Sequence, residues 1–338
     1  MKPELVAPAS NFDALKAAVH NGADAVYLGG KKFNARLFAK NFTMKELGYA
    51  IRYAHNIGSK VYVTVNTIVG DRELQELGEH LIDLYSLEAD AFIVQDFGVL
   101  KLSKELFPNF RLHASTQMTV HNAEGTKFLS RLGIRRVILG REDSLKTIRR
   151  VKEECDTEVE VFVHGALCFS ISGQCLMSSF LGGRSANRGR CASPCRLPYT
   201  FIDKNGTSIN SRGPFVLSMM DLNLSEDLGK LALAQVDAFK IEGRMKNPEY
   251  VALVTGIYRK LIDQEFRQPT QIEKRNLETI FNRGFTRGYI YGNLGGNAIC
   301  YERPDNQGIP LGSVTNYDAP NKIASILLSD DLHLGDGL

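Results

Sequence analysis

Short apolar segments alternate with amphipathic helical segments throughout residues 1–245. A strand that is repeatedly followed by a helix is typical of βαβ units, whose strands pair in parallel. Eight such units within about 250 residues match a (β/α)8 barrel. We therefore predict an α/β fold of the TIM-barrel type. The eight predicted strands are Leu5–Ala7, Ala25–Leu28, Lys60–Val65, Ala91–Val94, Leu112–Ala114, Arg136–Leu139, Val159–Val163 and Ala238–Ile241.

An open doubly wound sheet is the alternative architecture for this alternation. No G-x-G-x-x-G motif follows the first strand, so the sequence does not support a Rossmann dinucleotide site. The predicted helices between the strands include Asn11–His20, Met44–Ile57, Leu74–Leu87, Ala123–Leu132 and Leu145–Glu154.

The spacing of the strands predicts where the barrel ends. Residues 1–265 are expected to form the barrel, with a long cysteine-bearing loop at 165–200 after the seventh strand. Residues 266–308 are expected to form a helical extension. Short apolar runs over 309–338 predict the start of a small β domain. This domain is expected to be incomplete, because the sequence stops at Leu334–Leu338 in the middle of the pattern.

Composition excludes several classes of protein. The chain has 338 residues, of which 43% are hydrophobic and 23% charged, as is usual for a globular protein rather than a disordered or fibrous one. No apolar run reaches the roughly 18 residues that span a bilayer, and the first residues lack the pattern of a signal peptide. A cytoplasmic protein without a membrane partner is expected. The net charge of +3 does not by itself indicate a nucleic-acid partner.

Four of the six cysteines fall within one short segment, in the pattern Cys168-x6-Cys175-x15-Cys191-x3-Cys195. Clustered cysteines in a cytosolic chain indicate metal binding or catalysis rather than disulfides. The spacing differs from the C-x2-C pairs of structural zinc sites, whereas four thiolates can hold a 4Fe–4S cluster. Zinc, or four unconnected cysteines that include a nucleophile, remain the alternatives.

Polar side chains stand at or near the ends of most predicted strands. At the mouth of a barrel such residues usually carry the chemistry. Any one of them could instead cap a helix or pair inside the barrel, but burying so many polar groups without a task is costly. Along the chain they are Asn66, Gln95, Asp96, His113, Ser115, Gln117, Arg141, Glu142, His164, Lys240, Glu242 and Arg244.

The cysteine-bearing segment is also basic. No Asp or Glu occurs from Val161 to Ile202, whereas four arginines alternate with glycines there. Arginine on a glycine-rich loop can bind phosphate or carboxylate through two hydrogen bonds. We predict an anion-binding loop, for an RNA backbone or a small dicarboxylate, with a solvated basic loop as the alternative. The four residues are Arg184, Arg188, Arg190 and Arg196.

Several segments resemble peptidase family U32, the collagenase-like proteases. The longest is Glu160-x-Phe162-x-x-Gly165-Ala166-Leu167-Cys168-x4-Gly173-x-Cys175-x-Met177-Ser178. Others are Pro3-Glu4-Leu5-Val6-Ala7-Pro8-Ala9, Gly22-Ala23-Asp24-Ala25-Val26-Tyr27 and Lys240-Ile241-Glu242-Gly243-Arg244, so that the resemblance covers essentially the whole chain. No G-x-S-x-G or H-E-x-x-H motif supports a serine hydrolase or a zinc protease.

The resemblance implies a function other than proteolysis. Several U32 members are oxygen-independent hydroxylases that carry a 4Fe–4S cluster on four cysteines and use prephenate as hydroxyl donor. Their substrates are the tRNA wobble uridine, a cytidine of 23S rRNA and a ubiquinone precursor. The resemblance implies Cys168, Cys175 and Cys191 as ligands. Cys195 is the candidate for the fourth ligand, because no other cysteine occurs before Cys300.

The resemblance also bears on the substrate. The apparent start of a β domain favours an RNA-modifying member over the ubiquinone branch. The segment Asn187–Arg196 resembles the tRNA-modifying members, whereas Asn34-Ala35-Arg36-x-Phe38 and Asn41-Phe42-Thr43 resemble the rRNA branch. Hydroxylation of the tRNA wobble uridine to 5-hydroxyuridine is the leading hypothesis. A 23S rRNA cytidine hydroxylase, a metal-dependent peptidase and a non-catalytic partner of an active relative are the alternatives.

These expectations define a set of candidate site residues. No feature of the sequence indicates an oligomeric state. The residues expected to line the catalytic pocket are His164, Asn66, Gln117 and Glu242. Those expected to bind carboxylate or phosphate groups are Arg36, Arg141, Arg188 and Arg244.

Overall fold

Eight parallel strands form a closed barrel, as the alternation of strands and helices predicts. The computed structural model describes residues 2–333. Numbered in chain order with all other strands, the barrel strands are β1 (Glu4–Pro8), β2 (Ala25–Gly29), β3 (Lys60–Val65), β4 (Ala91–Val94), β5 (Leu112–Ala114), β6 (Arg136–Ile138), β7 (Glu158–Ala166) and β11 (Ala238–Ile241). Each pairs in parallel with its neighbour, and β11 pairs with both β1 and β7, so the sheet closes on itself.

Helices surround the barrel and begin at side chains that cap them. The Thr43 side chain and Glu46 form a reciprocal capping box at the start of α2, and Asn247 accepts a hydrogen bond from the Tyr250 backbone at the start of α9. The helices are α1 (Phe12–His20), α2 (Met44–Ile57), α3 (Leu74–Ser86), α4 (Phe97–Leu106), α5 (Ala123–Arg131), α6 (Leu145–Glu154), α7 (Met177–Gly182), α8 (Leu228–Leu233), α9 (Pro248–Asp263) and α10 (Gln271–Ile280).

Paired charges occupy the interior of the barrel below its mouth. Glu160 is fully buried between Lys240 Nζ at 2.6 Å and Arg136 Nη1 at 3.1 Å, and Arg136 also contacts Glu4 at 2.5 Å. Buried charges persist when they are paired in this way. His113 lies in the same layer, fully buried. It is therefore one of the strand-end polar residues that the fold places inside the barrel rather than at the mouth.

The long insertion between β7 and β11 folds against the barrel. It contains α7, the antiparallel pair β8 (Phe201–Ile202) and β9 (Ser208–Ile209), then β10 (Asp221–Asn223) and α8. Strand β10 lies antiparallel to β7, and β12 (Phe285–Thr286) pairs with β10. The predicted extension 266–308 is consequently helical only in α10 and in a short 3-10 turn, because part of it extends the sheet.

Two further strands lie within 309–338, the segment for which the sequence predicts the start of a small β domain. Strands β13 (Gly312–Asp318) and β14 (Ile323–Leu328) form an antiparallel hairpin whose side chains are almost all exposed. The expected interruption of a β domain at Leu334–Leu338 lies outside the described residues. Within residues 2–333, no helix has both the length and the apolar character required to cross a membrane.

Candidate active site at the barrel mouth

A cavity of about 60 Å³ opens at the carboxyl ends of the barrel strands. Its wall includes the apolar side chains of Ala35, Ile93, Ile138 and Phe162, and the rest is polar or carries a polar group. Six of the eight non-cysteine residues predicted to form the site line this cavity together. They are Arg36, Asn66, Gln117, Arg141, Glu242 and Arg244.

Glu242 is the carboxylate of this cavity. Arg36 Nη2 lies 2.9 Å from its Oε1, and Tyr27 Oη donates to its Oε2 at 2.9 Å. Burial would raise the pKa of Glu242, but the charges of Arg36 and Arg141 outweigh burial and hold this pKa at about 2. Glu242 is therefore ionised at neutral pH, and the same ion pair raises the pKa of Arg36.

Two amide side chains form the opposite wall. Asn66 Oδ1 accepts from the Ala35 backbone at 3.0 Å, and its Nδ2 donates to Gln117 Oε1 at 3.1 Å and to Ser115 Oγ at 3.3 Å. These bonds connect the loop after β2 with the ends of β3 and β5. Within residues 2–333, the Gln117 amide nitrogen makes no hydrogen bond, so it is available to a ligand.

Two arginines of the cavity have no carboxylate partner within residues 2–333. Arg244 is buried and contacts only neutral acceptors: Thr64 Oγ1 at 3.1 Å, Asn34 Oδ1 at 3.3 Å and Asn41 Oδ1. Burial lowers the pKa of Arg244 to about 10. The Nε atoms of Arg244 and Arg141 are buried and lack a hydrogen-bond partner in the described part of the chain. A buried donor without an acceptor is uncommon and favours an anionic ligand here.

Arg141 joins the cavity to the cysteine segment. Its Nη1 donates to Cys168 Sγ and to the Ala166 carbonyl, both at 3.2 Å. The guanidinium also lies 4.6 Å from the centroid of the Phe162 ring. One positive charge therefore lines the mouth cavity and contacts the first of the four thiols.

Close backbone contacts hold the cysteine segment on the mouth. Gly173 has φ +83°, and a Cβ at this position would lie 2.2 Å from the Gln117 carbonyl oxygen. Gly189 has φ +77°, and its Cβ would lie 2.3 Å from the Asn34 carbonyl oxygen. Only glycine permits such approaches in this conformation. Ser172 adds two hydrogen bonds to Glu142, from its backbone at 2.7 Å and from its hydroxyl at 2.9 Å.

Cys195 lies within electrostatic reach of the other three thiols. Cys168 and Cys191 are exposed, and Cys175 and Cys195 are half-buried. Burial raises the pKa of the Cys195 thiol, and the charges of the other three cysteines raise it further. Within residues 2–333, no three His, Cys, Asp or Glu side chains are grouped closely enough to hold a single metal ion.

Chemically, this set of thiols fits an anionic iron–sulfur group. The four thiols belong to one segment, Arg141 donates a hydrogen bond to Cys168, and the positive charge of Arg196 acts on Cys195. Arg196 also fastens the end of the segment, because it donates to Ser218 Oγ at 2.8 Å and to the Leu167 carbonyl at 3.0 Å.

Two residues that the sequence assigned to the site lie elsewhere. His164 is buried behind the barrel wall, where its Nδ1 lies 3.2 Å from Tyr258 Oη and its ring packs against Phe285. Burial lowers the pKa of His164 to about 3. Arg188 forms a bidentate ion pair with Glu73, at 2.6 and 2.9 Å, outside the cavity.

The predicted set of site residues omits other residues of the cavity wall, among them Tyr27 and Lys240. Tyr27 holds Glu242, and Lys240 lies 4.2 Å from the Tyr27 ring centroid while pairing with Glu160. Strands of a parallel barrel are buried on both faces, so alternation of polar and apolar residues does not show which side chains point inward. The presence of a tyrosine in the otherwise aliphatic strand β2 is the only local signal.

Comparisons with known proteins agree on one family. The model of a family described as peptidase family U32 matches residues 10–299. An uncharacterized protease of Methanocaldococcus jannaschii is 40% identical to the chain, over 98% of the chain and 85% of that protein.

Two other relatives are named for RNA modification. A 23S rRNA 5-hydroxycytidine synthase of Escherichia coli is 38% identical over 99% of the chain, and the chain spans about half (52%) of that enzyme. A tRNA hydroxylation protein P1 of Bacillus subtilis is 35% identical, over 99% of the chain and 82% of that protein.

Proposed function

The chain belongs to peptidase family U32, and we propose that it hydroxylates an RNA base in the cytoplasm. The reaction that we propose is the conversion of the tRNA wobble uridine to 5-hydroxyuridine without molecular oxygen. Prephenate would donate the hydroxyl group, and a 4Fe–4S cluster would be the cofactor. Two relatives named for RNA hydroxylation, each aligned with 99% of the chain, support an RNA substrate.

The unpaired arginines of the mouth support an anionic hydroxyl donor. Arg141 and Arg244 both line the cavity, and each has a buried Nε without a partner in the described part of the chain. Guanidinium groups bind carboxylates through paired hydrogen bonds, and prephenate carries two carboxylates. The cavity of about 60 Å³ is far smaller than the roughly 300–1,000 Å³ of a pocket that encloses a whole ligand. It therefore suits one carboxylate group of the donor.

The thiol arrangement supports the cluster. In a 4Fe–4S cluster each of four cysteine thiolates binds a different iron, so the thiols need not crowd around one ion as they do in a zinc site. Bound there, the cluster would bind or polarise the oxygen donor. The proposed ligands are Cys168, Cys175, Cys191 and Cys195.

The other residues of the cavity would position the reactants. Glu242, with a pKa of about 2, is a weak proton acceptor at neutral pH and acts as a fixed negative charge that holds Arg36 in place. Asn66 and Gln117 present amide groups, which can hydrogen-bond to the edge of a base. With Glu242 holding Arg36, and Asn66 and Gln117 facing the base, Arg141 and Arg244 remain to bind the hydroxyl donor.

Anaerobic purification followed by visible and EPR spectroscopy, with iron and sulfide assays, tests the cofactor. Mass spectrometry of nucleosides from cells that lack the gene, with and without the restored chain, tests the reaction. We expect a hydroxylated nucleoside that disappears with the gene and stays absent when Cys168→Ala is restored. Retained modification with Cys168→Ala would refute the cluster mechanism, and unchanged nucleosides in the deletion strain would refute RNA hydroxylation.

A peptidase is the second candidate, because the family and the M. jannaschii relative are named for proteolysis. This alternative predicts that the purified chain cleaves gelatin and that a chelator stops the cleavage. Gelatin cleavage that survives the Cys168→Ala change while RNA remains unmodified would favour it.

A further inference from the structure

Two loops meet beside the mouth cavity and form one rim. The loop 30–43, between β2 and α2, carries Arg36 into the cavity, and its Leu37 backbone donates to the Gly189 carbonyl at 3.1 Å. The Ile68 backbone likewise donates to the Asn187 carbonyl at 3.0 Å. The cysteine segment is thereby joined to the loops that follow β2 and β3.

A second cavity, of about 260 Å³, lies in this rim and is positively charged. Its two acidic residues, Glu73 and Glu76, each form an ion pair with one cation of the wall. Lys31 and Arg190 therefore line the cavity without a salt bridge to a carboxylate in the described part of the chain. The four cations of the wall are Lys31, Lys32, Arg188 and Arg190.

An exposed aromatic residue directly follows Leu37, which lines this cavity. Phe38 is 58% exposed, although it is only two residues from Arg36 of the mouth cavity. The Arg184 guanidinium, from the cysteine segment, lies 6.0 Å from the Phe38 ring centroid. An exposed ring with a neighbouring guanidinium is the arrangement on which unpaired nucleic-acid bases stack.

We propose that this rim, formed by Lys31, Phe38, Arg184 and Arg190, binds single-stranded RNA beside the reacting nucleotide. A neighbouring base would stack on Phe38, and a phosphate would lie in the cavity of Lys31 and Arg190. The inference rests on the proposed function, since the reacting base would lie at the adjoining mouth of the barrel. The lack of any Asp or Glu from Val161 to Ile202 gives this face the charge that a phosphate backbone requires.

The geometry favours unpaired over duplex RNA. A base in a duplex is stacked on both faces, so it is not available to Phe38, whereas a loop base can be turned outward. Anion binding by the cations alone would not distinguish the two forms. Preference for a single-stranded loop is therefore the property that separates this rim from a general phosphate-binding surface.

Binding of a fluorescein-labelled RNA hairpin to the full chain, measured by anisotropy over a range of salt concentrations, tests the inference. A fully paired duplex is the comparison probe. Phe38→Ala should weaken hairpin binding about five-fold to a hundred-fold and leave the salt dependence unchanged. Lys31→Ala/Arg190→Ala should lower the slope of log affinity against log salt by about 0.7, since these two cations would hold one phosphate and each single-strand phosphate contact contributes about 0.7.

A matched control lies on α2. There Arg52 stands 5.2 Å from the ring centroid of exposed Tyr49, which gives the same kind of pair away from the mouth. Arg52→Ala should bind the hairpin like the unaltered chain. Unchanged hairpin affinity in both rim variants, or equal affinity of the unaltered chain for hairpin and duplex, would overturn the inference.

Nucleoside analysis separates this inference from the proposed function. If the rim variants lose hairpin binding but no hydroxylated nucleoside depends on the gene, RNA binding by the rim is supported and the hydroxylase proposal is refuted. If hydroxylation depends on the gene while the rim variants bind RNA normally, the hydroxylase proposal is supported and RNA binding by the rim is refuted.

Discussion

The guanidinium of Arg141 donates a hydrogen bond to the thiol of Cys168 at 3.2 Å while lining the cavity at the barrel mouth. These two residues come from the loops after β6 and β7, and their contact links the cavity to the first of the four thiols. In the proposed reaction, donor and cofactor would therefore meet at Arg141.

Arg141→Lys is expected to lower RNA hydroxylation by about ten-fold or more, because lysine keeps the charge but loses the planar group that reaches both partners. The donor concentration for half-maximal rate should rise. Quantitative mass spectrometry of RNA incubated with increasing prephenate measures both effects. Arg149→Lys, on the exposed face of α6, is the matched control, and an equal loss in that variant would contradict a specific role for Arg141.

Cys168→Ala should abolish bound iron and sulfide after anaerobic purification, since three thiolates leave one iron of the cluster without a protein ligand. Cys155→Ala is the control, because Cys155 is buried at the end of α6, where its Sγ contacts the Ala123 carbonyl. Iron and sulfide assays on both variants measure whether each still binds the cluster. A full complement of iron in Cys168→Ala would exclude this residue as a ligand.

Cys195→Ala tests the fourth ligand in the same way. The proximity of Cys195 to the other three thiols predicts a loss of iron comparable to that of Cys168→Ala. Iron content equal to that of Cys155→Ala would show that another group completes the site.

Gly173→Ala should detach the cysteine segment from the mouth. The new Cβ would lie 2.2 Å from the Gln117 carbonyl oxygen, and the positive φ alone costs about 1–3 kcal/mol for a residue other than glycine. We expect lower iron incorporation and faster tryptic cleavage after Arg184 and Arg188. Gly182→Ala, where a Cβ meets nothing within 4 Å, should behave like the unaltered chain. Equal cleavage rates in the two variants would contradict this expectation.

His121 and Glu142 should make stability depend on pH. A hydrogen bond with Asp143 and the contact with Glu142 raise the pKa of His121 to about 10. Burial opposes ionisation of Glu142, but His121 and Ser172 hold its pKa at about 2. The His121 contribution to the free energy of unfolding is therefore complete below pH 6.5 and disappears as the pH rises to 10. The Glu142 contribution is complete above pH 4.5 and disappears towards pH 2.

Urea unfolding of His121→Asn measures the first effect. The difference in unfolding free energy from the unaltered chain should be about 2 kcal/mol near pH 6 and should shrink towards pH 10. Protonation of Glu142 should cause part of the loss of stability at acidic pH. Glu142→Gln should abolish that part. A difference in unfolding free energy that stays constant from pH 6 to pH 10 would show that folding does not change the pKa of His121.

Lys240→Met should destabilise the barrel by about 3–5 kcal/mol, because it removes one of the two cations that neutralise the fully buried Glu160. Thermal unfolding measures the effect. The double variant Lys240→Met/Glu160→Met should recover part of the loss, since no unpaired charge then remains in the interior. A double variant less stable than the single one would contradict this explanation.

Local patterns were sufficient to predict the barrel. All eight predicted strands exist, and α2 and α6 have the predicted bounds, because strand and helix signals arise from neighbouring residues and from caps such as Thr43. The polar ends of the strands also predicted where the cavity lies. In a closed parallel barrel all strand ends converge on one face, whatever the details of their packing.

His164 and Arg188 lie outside the mouth cavity for reasons that are not local. Lys240 pairs with Phe162 and Ile241 with His164, so Val163 is skipped and His164 turns away from the face that Phe162 occupies. Arg188 pairs with Glu73, which is 115 residues away in the chain. Neither the shift in strand register nor the ion pair can be recognised from the neighbouring residues in the sequence.

The sequence by itself thus determined the order of strands and helices, the convergence of polar strand ends on one face and the gathering of four thiols in one segment. Those features depend on short-range backbone preferences and on residue spacing. Only the tertiary structure decided that Tyr27 faces the cavity, that His164 does not, and that Arg141 and Arg244 lack carboxylate partners in the described part of the chain. Strand register and ion pairing are set by contacts between segments that are distant in sequence, and these contacts exist only once the barrel has closed.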